Sequence, residues 1–124
     1  MRASPLSREA MMRVVPTLLH GVADYAVSLL VLSIPFAFGL SSSLSGLYIL
    51  LSLFGIGYSL VTQYELSLAR LLPMPLHLML DAVFGLVMLL IAAFAPLADG
   101  AFWVTLIIGV LALLLAATTK LTPR

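Results

Sequence analysis

The sequence predicts an all-α protein, a four-helix transmembrane bundle built from two parallel two-helix repeats. Three observations predict it. Hydrophobic residues make up 63% of the 124 residues and charged residues 9%, a balance outside that of soluble domains. Four apolar stretches each have roughly the 20 residues that cross a bilayer core as a helix. One polar motif occurs twice. We therefore expect one membrane domain over residues 1–124.

The four spans are predicted at about residues 16–40, 44–62, 75–95 and 101–118. They must be helices because the hydrocarbon region offers no partners for unpaired backbone groups. Pro16 and Pro73 suit a first helical turn, where a missing N–H is harmless. Pro35 lies late in the first span and is expected to kink the helix or end it early, with Gly39 completing the turn.

The repeated motif is Arg-x-x-Pro-x-x-x-His-x-x-x-Asp. Its first copy consists of Arg13, Pro16, His20 and Asp24, and its second, 57 residues later, of Arg70, Pro73, His77 and Asp81. Four uncommon residue types in one register indicate an internal duplication. Repeat 1 then covers about residues 13–62 and repeat 2 about residues 70–119. Each repeat holds two spans, so both enter the membrane in the same direction, related by a pseudo-twofold axis along the membrane normal.

Basic residues predict the orientation. Arg2, Arg8 and Arg13 precede the first span, Arg70 lies between the second and third, and Lys120 and Arg124 follow the fourth. With four spans, these three regions lie on one side, and the opposite loops contain no Lys or Arg. The positive-inside rule places both termini in the cytoplasm. The first span is too long for a signal peptide, so we expect it to be retained.

The two motifs predict a shared polar site. Residues at i, i+4 and i+8 lie on one helix face, which carries a His, an Asp and a small residue in each copy. The small residues are Ser28 and Gly85. We expect spans one and three to pack together with Ser28 against Gly85 and the His/Asp pairs near the axis. The aspartates lie about 12 Å inside the prolines at 1.5 Å per residue, where an unpaired charge costs at least about 2.5–3.5 kcal/mol.

Several roles for this site remain open at the level of sequence. His20, Asp24, His77 and Asp81 could form a hydrogen-bonded clamp, hold a zinc-, iron- or manganese-type ion, or relay protons or metal ions. Two facing histidines could instead bind a haem. Accessory candidates near the site are Tyr25, Tyr64 and Glu65. Glu65 is the only acid in its loop and is interpreted first as a solvated headgroup residue, with a role in the site as the alternative.

Composition also argues against other classes of protein. The absence of cysteine excludes disulfides and thiolate ligands, and no basic cluster suits nucleic acid. The sequence predicts no enzyme, because it has no evident nucleophile–base pair or phosphate-binding glycine loop. The expected partner is the lipid bilayer, and a homo-oligomer or a larger membrane complex stays open. The leading interpretation is a non-enzymatic membrane protein with an intramembrane polar site, and the alternative is a small transporter or channel subunit.

The chain resembles the small bacterial membrane proteins that carry SPW repeats. Residues 24–39, from Asp24 through Ser33-Ile34-Pro35-Phe36 to Gly39, are similar to the first helix of such a repeat unit. Residues 62–81 are similar to its connector and second unit, and the resemblance extends from about residue 16 to residue 118. It implies a bacterial inner-membrane location and paired two-helix units, and it supplies no catalytic residues.

Overall fold

In a computed structural model, the chain is a bundle of four helices; the structure describes residues 11–123. The helices are α1 (Thr17–Phe38), α2 (Ser42–Leu60), α3 (Met74–Phe94) and α4 (Asp99–Thr118). Their bounds lie within two residues of the predicted spans. All four are long and apolar enough to cross a membrane, which indicates an integral membrane protein. Arg2, Arg8 and Arg124, which entered the orientation prediction, lie outside the described residues.

The two motif prolines start α1 and α3 in the same way. Pro16 and Pro73 precede the helices with extended backbone, at ψ 149° and 148°. Their carbonyl oxygens accept the backbone N–H of His20 and His77, both at 3.0 Å. The proline therefore sets where each helix begins, and the spacing of the motif places the histidine one turn inside it.

The end of α1 differs in part from prediction. The helix continues three residues past Pro35 to Phe38 instead of ending early. Gly39 then adopts a left-handed conformation with φ 59°, and its N–H binds the carbonyl of Pro35. Glycine suits this position because it has no Cβ to clash. Pro35 is tolerated because it removes only one hydrogen bond near the helix terminus.

The helices pack in the order α1, α2, α3, α4 around the bundle. The closest packing is within each hairpin, α1 on α2 and α3 on α4, and the hairpins meet through α1–α4 and α2–α3. Helices α1 and α3 therefore lie on a diagonal, so the prediction that they pack directly together is wrong. Ser28 and Gly85 are indeed helix-contact positions, but Ser28 lies against Gly55 of α2, and Gly85 against Gly109 of α4.

Short backbone pairings close one end of the bundle, which we call the terminal end because residues 15 and 119 meet there. Val15 pairs with Thr119, and Leu72 pairs with Thr62, both in parallel bridges. The two pairings join positions that lie 57 residues apart in the predicted repeats; the duplication and its symmetry axis stay predictions. The opposite end, where the turns at 39–41 and 95–98 lie, we call the hairpin end.

The outer surface of the bundle is apolar, unlike that of a soluble protein. Large apolar side chains such as Leu50, Phe94 and Trp103 are exposed. Toward the hairpin end the interior is mostly apolar, formed by Val31, Ile34, Tyr48, Phe84, Met88, Ile91 and Ile108. Toward the terminal end the interior contains buried histidine, aspartate and threonine. Apolar surface suits contact with lipid, and the polar interior is the place to look for function.

Candidate functional site

The two motifs meet across the diagonal of the bundle. His20 and His77 are fully buried, and the side chains of Asp24 and Asp81 are only 10% and 8% exposed. The ring centroids of the two histidines are 5.3 Å apart at a steep angle. Long side chains thus bridge two helices whose backbones are separated by α2 and α4. We call these four residues the quartet.

The shortest contacts within the quartet run between the repeats. His20 Nε2 lies 2.6 Å from Asp81 Oδ2, and His77 Nε2 lies 2.9 Å from Asp24 Oδ2. The contacts within each helix are longer, 3.1 Å from His20 Nε2 to Asp24 and 3.2 Å from His77 Nε2 to Asp81. Both histidines therefore direct Nε2 toward the same pair of carboxylates.

Two threonines orient the histidine rings. Thr119 Oγ1 lies 2.6 Å from His20 Nδ1, and Thr62 Oγ1 lies 2.6 Å from His77 Nδ1. Each threonine hydroxyl also donates its hydrogen to the carbonyl four residues earlier, at 2.6 Å. A hydroxyl has only one hydrogen to donate, so each threonine accepts a hydrogen bond from Nδ1–H. This arrangement assigns a proton to Nδ1 of both rings.

Two tyrosines hold the carboxylates from outside. The Tyr58 hydroxyl donates to Asp81 Oδ1, and the Tyr64 hydroxyl donates to Asp24 Oδ2 at 3.0 Å. Tyr64 lies in the connector between α2 and α3, and burial together with the Asp24 carboxylate raises the pKa of its hydroxyl. It therefore remains a hydrogen-bond donor. The positions 57 residues after Tyr58 and Tyr64 are leucines, so this outer shell is less symmetric than the quartet itself.

The other two accessory candidates form hydrogen bonds with residues outside the quartet within the described part of the chain. The Tyr25 hydroxyl donates to the Leu66 carbonyl at 2.7 Å. The Thr17 hydroxyl donates to the Glu65 carboxylate, at 2.5 and 3.0 Å. Both contacts fasten the connector to α1, over the terminal end of the site. Glu65 is a half-buried acceptor and not the solvated headgroup residue that was expected.

A small cavity adjoins the carboxylates on the side toward the hairpin end. Its volume is about 20 Å³, enough for one water molecule. Polar groups in its wall come from Asp24, Asp81, Ser28, Ser59 and Tyr58. Among the described residues, Ser59 Oγ and His77 Nε2 are buried side-chain atoms that make no hydrogen bond of good geometry. His77 Nε2 is close to Asp24 but poorly aligned with it.

The quartet, as it is arranged, leaves no room for the haem that two facing histidines suggested. Both Nε2 atoms contact carboxylate oxygens directly, at distances of 2.6–3.2 Å. A macrocycle coordinated by both rings would have to occupy the space that these carboxylates fill. A single small ion needs no such space, and one ligand atom from each of the four residues lies within 4.8 Å of all the others.

Sequence reasoning missed Thr62, Thr119 and Tyr58. The two threonines could have been found from the sequence, because they occupy matching positions at the ends of the two repeats. Tyr58 carried none, since its counterpart in repeat 2 is Leu115. Comparisons with protein families, with curated proteins and with solved structures gave no match to this chain. The functional argument therefore rests on the site.

Proposed function

We propose that this chain is a non-enzymatic four-span membrane protein whose quartet is an intramembrane polar clamp joining the two repeats. The observation that carries this proposal is the pair of crossed contacts, His20 with Asp81 and His77 with Asp24. They connect α1 and α3, which lie on a diagonal and pack mainly on other helices. The quartet thus supplies a connection that helix packing does not.

Charge compensation explains how such a clamp is tolerated. Because Nδ1 of each ring donates to threonine, the hydrogen bond from His20 Nε2 to Asp81 requires a second proton on that ring, and a second proton on His77 would make its 2.9 Å contact with Asp24 an ion pair. Two imidazolium groups and two carboxylates then cancel, and the bundle buries no net charge. This matters because an uncompensated buried charge is strongly destabilising, whereas a paired one is not.

The clamp is tested by the stability of the metal-free protein in detergent. Asp81→Ala removes the acceptor shared by His20 and Tyr58, and should lower the free energy of unfolding by about 1–3 kcal/mol. Asp99→Ala is the matched control, because Asp99 is exposed at the start of α4. Denaturant titration followed by circular dichroism measures both. An Asp81→Ala protein as stable as the control would overturn the clamp.

The second candidate is a small transporter or channel subunit that uses the quartet as a proton or metal-ion relay. The cavity beside Asp24 and Asp81 favours it, because a relay needs room for water at its carboxylates. A second buried polar pair, Tyr48 and Thr105 at 2.7 Å, lies nearer the hairpin end. Proton flux into dye-loaded proteoliposomes tests this candidate. Flux that is abolished by Asp81→Asn would favour the relay over a purely structural clamp.

The same proposal includes location and orientation. The resemblance to SPW-repeat proteins supports membership in that family and a bacterial inner membrane. Arg13, Arg70 and Lys120 all belong to the terminal end, which supports a cytoplasmic position for that end. Labelling of single cysteines from outside intact cells tests the orientation. A cysteine at Ser43 should react with a membrane-impermeant reagent, and a cysteine at Ser67 should not.

A further inference from the structure

We propose that the quartet binds one divalent transition-metal ion through His20 Nε2, His77 Nε2 and one oxygen each from Asp24 and Asp81. A clamp needs no metal, so this goes beyond the function proposed above. The first support is convergence, because the four ligand atoms lie within 4.8 Å of one another. In a tetrahedral shell with bonds of 2.0–2.1 Å, neighbouring ligand atoms are roughly 3.3 Å apart. Small outward shifts from the present contacts would open that space.

The second support is the state of the histidine rings. Thr119 and Thr62 accept hydrogen bonds from Nδ1, so Nε2 of each ring faces the centre of the quartet and is the nitrogen that would lose its proton when a metal ion binds. Histidine ligands in metal sites usually donate their other ring N–H to an outer partner in this way, which fixes the ring orientation. His77 Nε2 is fully buried, faces this centre and makes no hydrogen bond of good geometry. A metal ion would satisfy it.

The third support is the outer shell of the carboxylates. Tyr58 donates to Asp81, and Tyr64 donates to Asp24. Each carboxylate therefore has an outer hydrogen bond that orients it, while an oxygen remains near the centre. All four proposed ligands thus have a partner outside the quartet.

The chemistry of the ligands selects the class of ion. Two imidazoles and two carboxylates suit Zn²⁺, Fe²⁺ or Mn²⁺, whereas Mg²⁺ and Ca²⁺ prefer all-oxygen sites. Cu⁺ prefers sulfur ligands, and the quartet has no sulfur atom. Two carboxylates also balance the charge of a divalent ion, so that a bundle holding the metal and two neutral histidines buries no net charge.

The test uses Co²⁺ as a spectroscopic probe of the full-length protein, purified in detergent and stripped with a chelator. We expect saturation at one Co²⁺ per chain, with the visible absorption bands of a low-coordinate Co²⁺ site. Zn²⁺ added afterwards should displace the probe and abolish the bands. No bands, or binding without a defined stoichiometry, would overturn the proposal, and this wild-type result does not depend on any variant folding.

Variants then locate the ion. His77→Gln should abolish the bands, and Thr62→Val, which removes the outer partner of His77 and leaves the four proposed ligands in place, should weaken Co²⁺ binding about 10–100-fold. Glu65→Gln is the matched control, because Glu65 is a nearby carboxylate outside the quartet and should leave binding unchanged. Folding is checked by circular dichroism and gel filtration. Bands that persist in folded His77→Gln protein, or a Co²⁺ affinity of folded Thr62→Val protein equal to that of the wild type, would place the ion elsewhere and overturn the assignment. The stability test of the clamp uses metal-free protein, so either proposal can fail alone.

Discussion

The hydroxyl of Thr119 lies 2.6 Å from Nδ1 of His20, although 99 residues separate them in the chain. Thr119→Val keeps the shape of the side chain but leaves a buried N–H without an acceptor. We expect a loss of about 1–3 kcal/mol in the free energy of unfolding. Thr118→Val is the control, because Thr118 also bonds the carbonyl four residues earlier but is only half-buried and does not contact His20. Denaturant titrations compare the two; equal losses would contradict the contact.

A disulfide tests the packing of α1. A Cβ built on Gly55 lies 3.9 Å from the Cβ of Ser28, within the roughly 3.5–4.5 Å that a disulfide spans. Ser28→Cys with Gly55→Cys should therefore form an intramolecular cross-link on mild oxidation, measurable by gel mobility. Ser28→Cys with Gly85→Cys should not, because these residues lie on diagonal helices. The chain has no native cysteine to interfere. A cross-link between positions 28 and 85 but not between positions 28 and 55 would mean that α1 packs directly on α3.

Glycine is needed where α3 and α4 cross. A Cβ added to Gly85 would lie 2.9 Å from the Gly109 carbonyl oxygen, a contact with backbone that cannot rotate away. Gly85→Ala should destabilise the protein by about 1–3 kcal/mol, the usual cost of overpacking. Gly57→Ala is the control: nothing lies within 4 Å of its added Cβ, and alanine favours the helix. Thermal unfolding in detergent measures both variants, and we expect a lower melting temperature for Gly85→Ala only.

The crossed contacts predict which pairs are energetically coupled. In double-mutant cycles, His20→Leu with Asp81→Ala should show a coupling of about 0.5–3 kcal/mol. His20→Leu with Asp24→Ala should show less, because their contact is longer, 3.1 Å against 2.6 Å, and only the Asp81 contact is a hydrogen bond. Unfolding free energies of the single and double variants give both couplings. Stronger coupling within α1 would mean that each helix forms its own pair, as in a same-helix clamp.

The amino-acid sequence by itself determined the four helices and the identity of the quartet. Continuous apolar stretches of the right length leave only helices as spanning structures, so the span bounds followed closely. Pro16 and Pro73 set the helix starts through their own backbone geometry, and this placed the motif histidines one turn inside. These properties are local, and local sequence was sufficient to predict them.

Only the tertiary structure decided which side chains meet. The helix face that carries a His, an Asp and a small residue in each motif correctly predicted that both motifs lie in one interior. It could not show whether the two helices are neighbours or lie on a diagonal. Ser28 and Gly85 reach only adjacent backbones because they are small, whereas histidine and aspartate are long enough to meet across the diagonal. The same limit applies to Thr62, Thr119 and Tyr58, whose contacts with the quartet depend on how helix ends and connector fold together. The distances between packed helices decide which side chains form the site, and residue spacing along the chain does not specify those distances.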